Sequence, residues 1–182
     1  MDEIIDYYKI LAKRSNAPIM AYVTGVLKGD VVKFTKQLSE IDNVAGIKLT
    51  IADYYLFGRI REIKRDTFSL LNGPDEALIC GLVKGADGGI GTTYNMLPKL
   101  VVSIYDEFMK GNIQKAEENQ AKLNKVIDVI LSHPTNGAKW KASMGLLGYD
   151  VGYTIEPRRE LTAAELDDLK QKLQAVGYFD LV

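Results

Sequence analysis

Up to Asn95 the chain alternates short apolar runs with longer stretches of helical spacing, and few folds accommodate that order. Ala17–Val23, Val44–Leu49, Thr67–Leu71 and Gly88–Thr92 read as strands. Asp2–Arg14 reads as an opening helix, with Ile4, Ile5, Tyr8, Leu11 and Ala12 at helical spacing. Asp30–Leu38, Ala52–Lys64 and Asp75–Val83 fill the gaps between strands as helices. Asp30 is placed to cap the first of these, with Val31, Phe34 and Leu38 apolar. In Ala52–Lys64, Tyr55, Leu56, Ile60 and Ile63 share one side, and the pairs Tyr7-Tyr8 and Tyr54-Tyr55 each put one ring on an apolar face. A strand, a helix and another strand in repeating order predict βαβ units and a parallel sheet, an α/β fold.

The pattern then changes. Leu97–Lys110, Ile113–Leu131, Ala138–Leu147 and Thr162–Ala175 all read as helices, and Thr162-Ala-Ala-Glu165 has the spacing of a capping box. The expected organisation is residues 1–96 as the βα part and residues 97–182 as a helical region packed on it. Four βα units are half of a TIM (β/α)8 barrel, which takes about 250 residues. Four such strands leave two unpaired edges, so the expectation is that a second copy closes the sheet, that a separate N-terminal piece does, or that the chain is a product truncated at the N-terminus; a small open α/β sheet is the other architecture consistent with the pattern.

The 182 residues carry a net charge of −1, and no basic patch points to nucleic acid. No apolar run reaches the roughly 20 residues of a membrane helix, so no membrane partner is expected. Cys80 is the single cysteine, which excludes an intramolecular disulfide and fits a reducing, cytoplasmic location. Among Leu78, Ile79 and Leu82 it is expected as a buried helix residue. His133, the single histidine, excludes a multi-histidine metal site and reads as a loop residue in Ser132-His-Pro-Thr-Asn-Gly137. Trp140 reads as a packing anchor. The acids and bases of Asp2, Glu3, Arg14 and Gln114–Lys125 read as solvated helix faces.

Lys48 is the unusual residue. It stands near the end of the apolar run Asn43-Val-Ala-Gly-Ile-Lys-Leu-Thr50. In strand geometry Val44, Gly46, Lys48 and Thr50 share one face, and Ala45, Ile47 and Leu49 the other. Lysine is seldom buried without a partner, and an ammonium that loses hydration releases its proton more easily. A neutral amine condenses with ketones, so Schiff-base chemistry is the functional reading. A strand-end lysine with a buried stem and its head in water is the structural alternative. Asp75 and Glu76 open a helix, where acids favour the dipole, and they also offer paired acceptors to a diol. The glycines of Gly85–Thr93 do not form a dinucleotide fingerprint or a Walker loop, because Tyr94 stands where a third glycine would be. They read instead as tight turns.

Three segments carry a family resemblance. Gly46-Ile-Lys-Leu-Thr50 followed by Ala52-Asp-Tyr-Tyr-Leu56 resembles the Schiff-base lysine segment of the pyruvate-dependent class I aldolases, the family of N-acetylneuraminate lyase and dihydrodipicolinate synthase. Leu71-Asn-Gly-Pro-Asp-Glu76 resembles the segment after that family's next strand, and Gly85-Ala-Asp-Gly-Gly-Ile-Gly-Thr-Thr-Tyr-Asn95 its Gly-rich final strand and loop. The Lys48-x-Thr50 pattern with Ala52, Asp53, Tyr55, Leu56, Asp75 and Glu76 is more similar to the sialic-acid branch than to the dihydrodipicolinate branch.

The resemblance implies a lyase that forms an iminium on Lys48 and cleaves N-acetylneuraminate to N-acetylmannosamine and pyruvate. It places Thr50 beside the iminium, Gly73, Asp75 and Glu76 on the polyhydroxylated tail, Thr92 where the family usually has a serine, and Tyr22 at the end of the preceding strand. No cofactor or metal is implied. The expected partners are a small 2-oxo acid or sialic acid and, as a homo-oligomer, further copies of the chain, or else an N-terminal half. There are departures. The strand around Tyr22 continues as Val23-Thr24-Gly25 where the family has a proline ahead. The family's carboxylate-binding loop and its proton-transfer tyrosine match no residue here. The expectation is a chain that keeps the nucleophile and the sugar-tail side and binds pyruvate weakly. Another 2-oxo acid aldolase, and a non-catalytic half barrel needing an N-terminal partner, are the rival readings.

Overall fold

The computed structural model describes residues 1–133 and 137–182, and the chain divides into two compact units, Met1–Gly91 and Thr92–Val182. The first unit runs α1 (Asp2–Arg14), β1 (Ile19–Thr24), α2 (Val31–Ser39), β2 (Val44–Thr50), α3 (Tyr54–Ile63), β3 (Ser69–Asn72), a 3-10 turn (Asp75–Ala77), α4 (Leu78–Val83) and β4 (Gly88–Gly89). The four strands form one sheet in the order β1-β2-β3-β4, with every neighbouring pair parallel. That is the parallel α/β sheet the alternation predicts.

Local chemistry explains where the elements begin. The Asp30 side chain accepts from Lys33 N and starts α2, as expected. α3 starts two residues later than the pattern suggests, because Asp53 is its cap and accepts from Leu56 N at 2.9 Å. Tyr55 is turned outward, 76% exposed, and Phe57 and Ile60 are the buried residues of this helix. β1 begins at Ile19 rather than Ala17. Pro18 has no N–H to give to a ladder, and Ser15 Oγ bonds both the carbonyl and the N–H of Ala17. The expected helix Asp75–Val83 is split into the 3-10 turn and α4, because Ala77 adopts φ −138°. β4 is two residues long, Gly88–Gly89, shorter than the strand to Thr92 that the pattern predicts, and a 3-10 helix (Thr93–Asn95) follows.

The core of the first unit lies on one face of the sheet. Ala21, Val23, Ile47, Leu49 and Leu70 from the strands join Phe34, Leu38, Phe57, Ile60 and Phe68. Each of these side chains other than Ala21 contributes about 1.5–3 kcal/mol of burial. The α4 residues Leu78, Ile79, Gly81 and Leu82 are buried, which leaves Cys80 on the opposite side of the turn, exposed. The expectation of a buried cysteine is thus corrected: the apolar neighbours occupy one helical arc, and Cys80 falls outside it.

The second unit continues from the 3-10 turn Thr93–Asn95 through α5 (Pro98–Met109), α6 (Ile113–Ser132), α7 (Ala138–Gly145), α8 (Ala163–Ala175) and a last 3-10 turn, Tyr178–Asp180. Asn119 of α6 donates to Ser103 Oγ of α5 at 3.0 Å. The buried Tyr178 hydroxyl donates to Ser143 O of α7 at 3.0 Å, and burial pushes its pKa up to about 12. The capping box of α8 is present, with Thr162 and Glu165 satisfying each other's backbone N–H. The Lys and Glu side chains of α6 lie on its exposed side. His133 leaves α6 in extended backbone as its C-cap, at the start of the expected loop, and is buried there. Lys139 of α7 fixes that cap, with Nζ donating to the carbonyls of Leu131 at 3.3 Å and His133 at 3.1 Å. Pro134, Thr135 and Asn136 of the same expected loop lie outside the described residues. Among the described residues no helix is long and apolar enough to cross a membrane.

Candidate active site

The strand alternation puts Ile47 and Leu49 in the core and turns Lys48 and Thr50 to the other face of the sheet. Lys48 stands in register with Tyr22 of β1 and Leu71 of β3, close to the C-terminal ends of the strands. Its Nζ lies 4.7 Å from the centroid of the Tyr22 ring. The negative face of that ring attracts a cation. Lys48 is half-buried rather than stripped of water, because its face of the sheet also carries the exposed Met20 and Tyr22, the latter 57% exposed.

Thr50 ends β2, and its hydroxyl is buried without a hydrogen-bond partner. Such a group costs on the order of 1–3 kcal/mol until something bonds to it. Gly73, buried, lies against it and donates its N–H to Leu49 O at 2.9 Å. The turn after β3 is set by Asn72, fully buried, whose Nδ2 donates to Pro74 O at 2.7 Å. Asp75 and Glu76 follow at once in the 3-10 turn, Asp75 half-buried and Glu76 exposed. Tyr54 holds that turn from α3 by donating its hydroxyl to Ala77 O at 3.3 Å. Its pKa is pushed up to about 12, chiefly by burial and then by the neighbouring Cys80 and Glu76.

Tyr22 and Lys48 are thus in contact, Thr50 and Gly73 are in contact, and Asp75 and Glu76 continue the same turn. All six stand at the C-terminal ends of β1 to β3, where the open ends of parallel strands build sites. Thr92 opens the second unit and is exposed there, its carbonyl accepting from Asn95 Nδ2 at 3.1 Å. With Asn95, Met96 and Trp140 it lines a shallow depression of about 230 Å³. Asn72 and Tyr54 were not singled out from the sequence. An asparagine closing an apolar run before Gly-Pro was the available signal for the first. Tyr54 offered none, since its partner is a backbone carbonyl across the unit.

The Dihydrodipicolinate synthetase family model matches residues 1–176, and the chain belongs to that family. It is 32% identical over 175 residues to the N-acetylneuraminate lyase of Rhizobium meliloti, an alignment covering 96% of this chain and 58% of that protein. It is 29% identical over 175 residues to the 4-hydroxy-tetrahydrodipicolinate synthase of Archaeoglobus fulgidus, covering 95% of this chain and 60% of that one. Among solved structures it is similar to the N-acetylneuraminate lyase of Proteus mirabilis, with a TM-score of 0.86 and 28% identity, over 97% of this chain and 61% of the other. The chain therefore spans about three fifths of the length of the relatives it matches.

Proposed function

We propose that this chain is the lysine-bearing part of a Schiff-base-forming aldolase, most similar in its site to N-acetylneuraminate lyase, and that its four βα units are half of a (β/α)8 barrel. The observation that supports this best is what the C-terminal ends of β1 to β3 share: a lysine amine beside Tyr22, an unpartnered Thr50 hydroxyl, and a turn carrying Gly73, Asp75 and Glu76.

In this reading the Lys48 amine, once its proton has passed to solvent, attacks C2 of a 2-oxo acid, and the carbinolamine loses water to give an iminium. The C3–C4 bond breaks, its electron pair moves into the iminium to form an enamine, and the C4 hydroxyl loses its proton as the aldehyde departs. Protonation at C3 and hydrolysis return pyruvate and the free amine. Thr50 bonds the sugar chain near the iminium, and Asp75 and Glu76 accept hydrogen bonds from its vicinal hydroxyls. Tyr22 packs against the lysine.

The test is reductive trapping. Incubation with N-acetylneuraminate or pyruvate and cyanoborohydride is expected to leave a mass adduct on the peptide containing Lys48, lost in Lys48→Ala. Absence of any adduct on Lys48 overturns the proposal. The dihydrodipicolinate synthase name among the relatives makes aspartate semialdehyde the comparison substrate. Faster pyruvate turnover with it than with N-acetylmannosamine would move the assignment to that branch.

A further inference from the structure

Gly91 lies at the carboxylate of Asp75. A Cβ built on Gly91 would stand 2.6 Å from Asp75 Oδ2, and closer still to Oδ1 and Cγ. Nothing in the backbone demands glycine there, since Gly91 is not among the residues with positive φ. The reason for glycine is therefore space. Two backbone contacts hold the arrangement: Ile90 N donates to Asn72 O at 2.9 Å, and Asn72 holds Pro74, the residue before Asp75. The chain after β4 thus runs alongside the turn after β3, with the carboxylate filling the place where a side chain on Gly91 would stand.

Resting on the tail-binding role proposed for Asp75, we infer that Gly91 is a positioning residue for that carboxylate. It touches no substrate itself. A methyl at position 91 would turn the Asp75 side chain out of its place, and the effect would fall on ligands that carry hydroxyls beyond the ketone, not on pyruvate. Displacements of about 1 Å in such groups cost up to about 100-fold.

The experiment is a double-mutant cycle of Gly91→Ala and Asp75→Ala, read by borohydride trapping on Lys48 with N-acetylneuraminate and, separately, with pyruvate. Gly91→Ala is expected to raise the half-saturating concentration of N-acetylneuraminate at least about 10-fold and to leave that of pyruvate unchanged. In the Asp75→Ala background, where the new methyl has room, Gly91→Ala is expected to cost nothing further. Should the single variant fail to fold, the double variant is expected to regain the thermal transition of Asp75→Ala alone, which shows the clash to be with that side chain. Gly58→Ala, at a helix position of α3 with open space around it, is the control and is expected to trap both ligands normally. An equal loss for both ligands, the same penalty without Asp75, or a penalty in thermal unfolding alone would overturn the inference. A wild-type chain that traps pyruvate and N-acetylneuraminate, followed by any of those results, leaves the Schiff-base reading intact. A wild-type chain that traps neither overturns that reading first and the inference with it.

Discussion

Gly73 and Thr50 stand back to back at the ends of β3 and β2: a Cβ on Gly73 would lie 2.8 Å from Thr50 Cβ and 2.9 Å from Leu49 O. One of these neighbours is a β-branched side chain at a strand end, and the other is backbone already bonded to Gly73 N. Neither moves cheaply. Gly73→Ala is therefore expected to lower stability by about 1–3 kcal/mol through overpacking. Trapping of N-acetylneuraminate should be lost with it, because the Thr50 hydroxyl is displaced. Urea unfolding and the Lys48 adduct check the two parts. Thr50→Ala combined with Gly73→Ala should recover only part of the stability, since the Cβ at position 50 and the Leu49 carbonyl both remain.

A second prediction concerns the opposite ends of the strands. Lys64, whose side chain is 3% exposed, caps α3 and places Nζ 3.3 Å from Asp87 Oδ2. The same oxygen accepts from Leu70 N at 2.7 Å, so Asp87 joins a buried cation to the start of β3. Asp87→Ala leaves an ammonium and a backbone N–H without this acceptor, and is expected to cost about 2–4 kcal/mol. Asp87→Asn keeps an acceptor and should cost less. Adding Lys64→Met to Asp87→Ala should return part of the loss. Shifts in the urea midpoint at constant slope measure all three.

The start of α8 is expected to loosen in acid. Arg159 reaches both oxygens of Glu165, at 2.7 and 2.6 Å, and Thr162 N donates to it at 2.8 Å. Chiefly through Arg159, and then through the Thr162 N–H, the Glu165 pKa is lowered from 4.5 to about 2. A group depressed in the folded state stabilises fully above its unfolded pKa. Its contribution therefore fades as pH falls from about 4.5 and is gone below about 2. Protection of the first-turn amides of α8 from exchange, taken relative to the unfolded chain at each pH, should fall over that window. Glu165→Gln should show quicker exchange at neutral pH and a flatter dependence on acid. Unchanged protection across the window would contradict the assignment.

Much of this molecule was legible along the chain. Asp30, Asp53 and Thr162 cap helices within three residues of themselves, so the starts of α2 and α8 are legible from spacing; Asp53 carries the same signal, one residue inside the helix that the apolar pattern alone predicts. The alternation in Val44–Thr50 separates Lys48 and Thr50 from the core because strand periodicity is a property of adjacent residues. The family segments around Lys48, Asp75 and Gly91 are likewise continuous stretches.

What the chain could not disclose depends on residues distant in sequence. Asn43, at φ +68°, donates its amide to the carbonyls of Ala12, Ser15 and Ala17, tying the end of α1 to the start of β2. No local pattern marks it, because its acceptors lie 26 to 31 residues away. Cys80 faces out, and His133 caps a helix, for the same reason: burial is settled by what packs on each arc, not by a residue's neighbours in line. Gly91 is glycine on account of a carboxylate sixteen positions earlier, a demand that exists only once β3 and β4 lie side by side. Periodicity and capping are short-range forces written in order, whereas steric room and shared hydrogen-bond acceptors arise from folding.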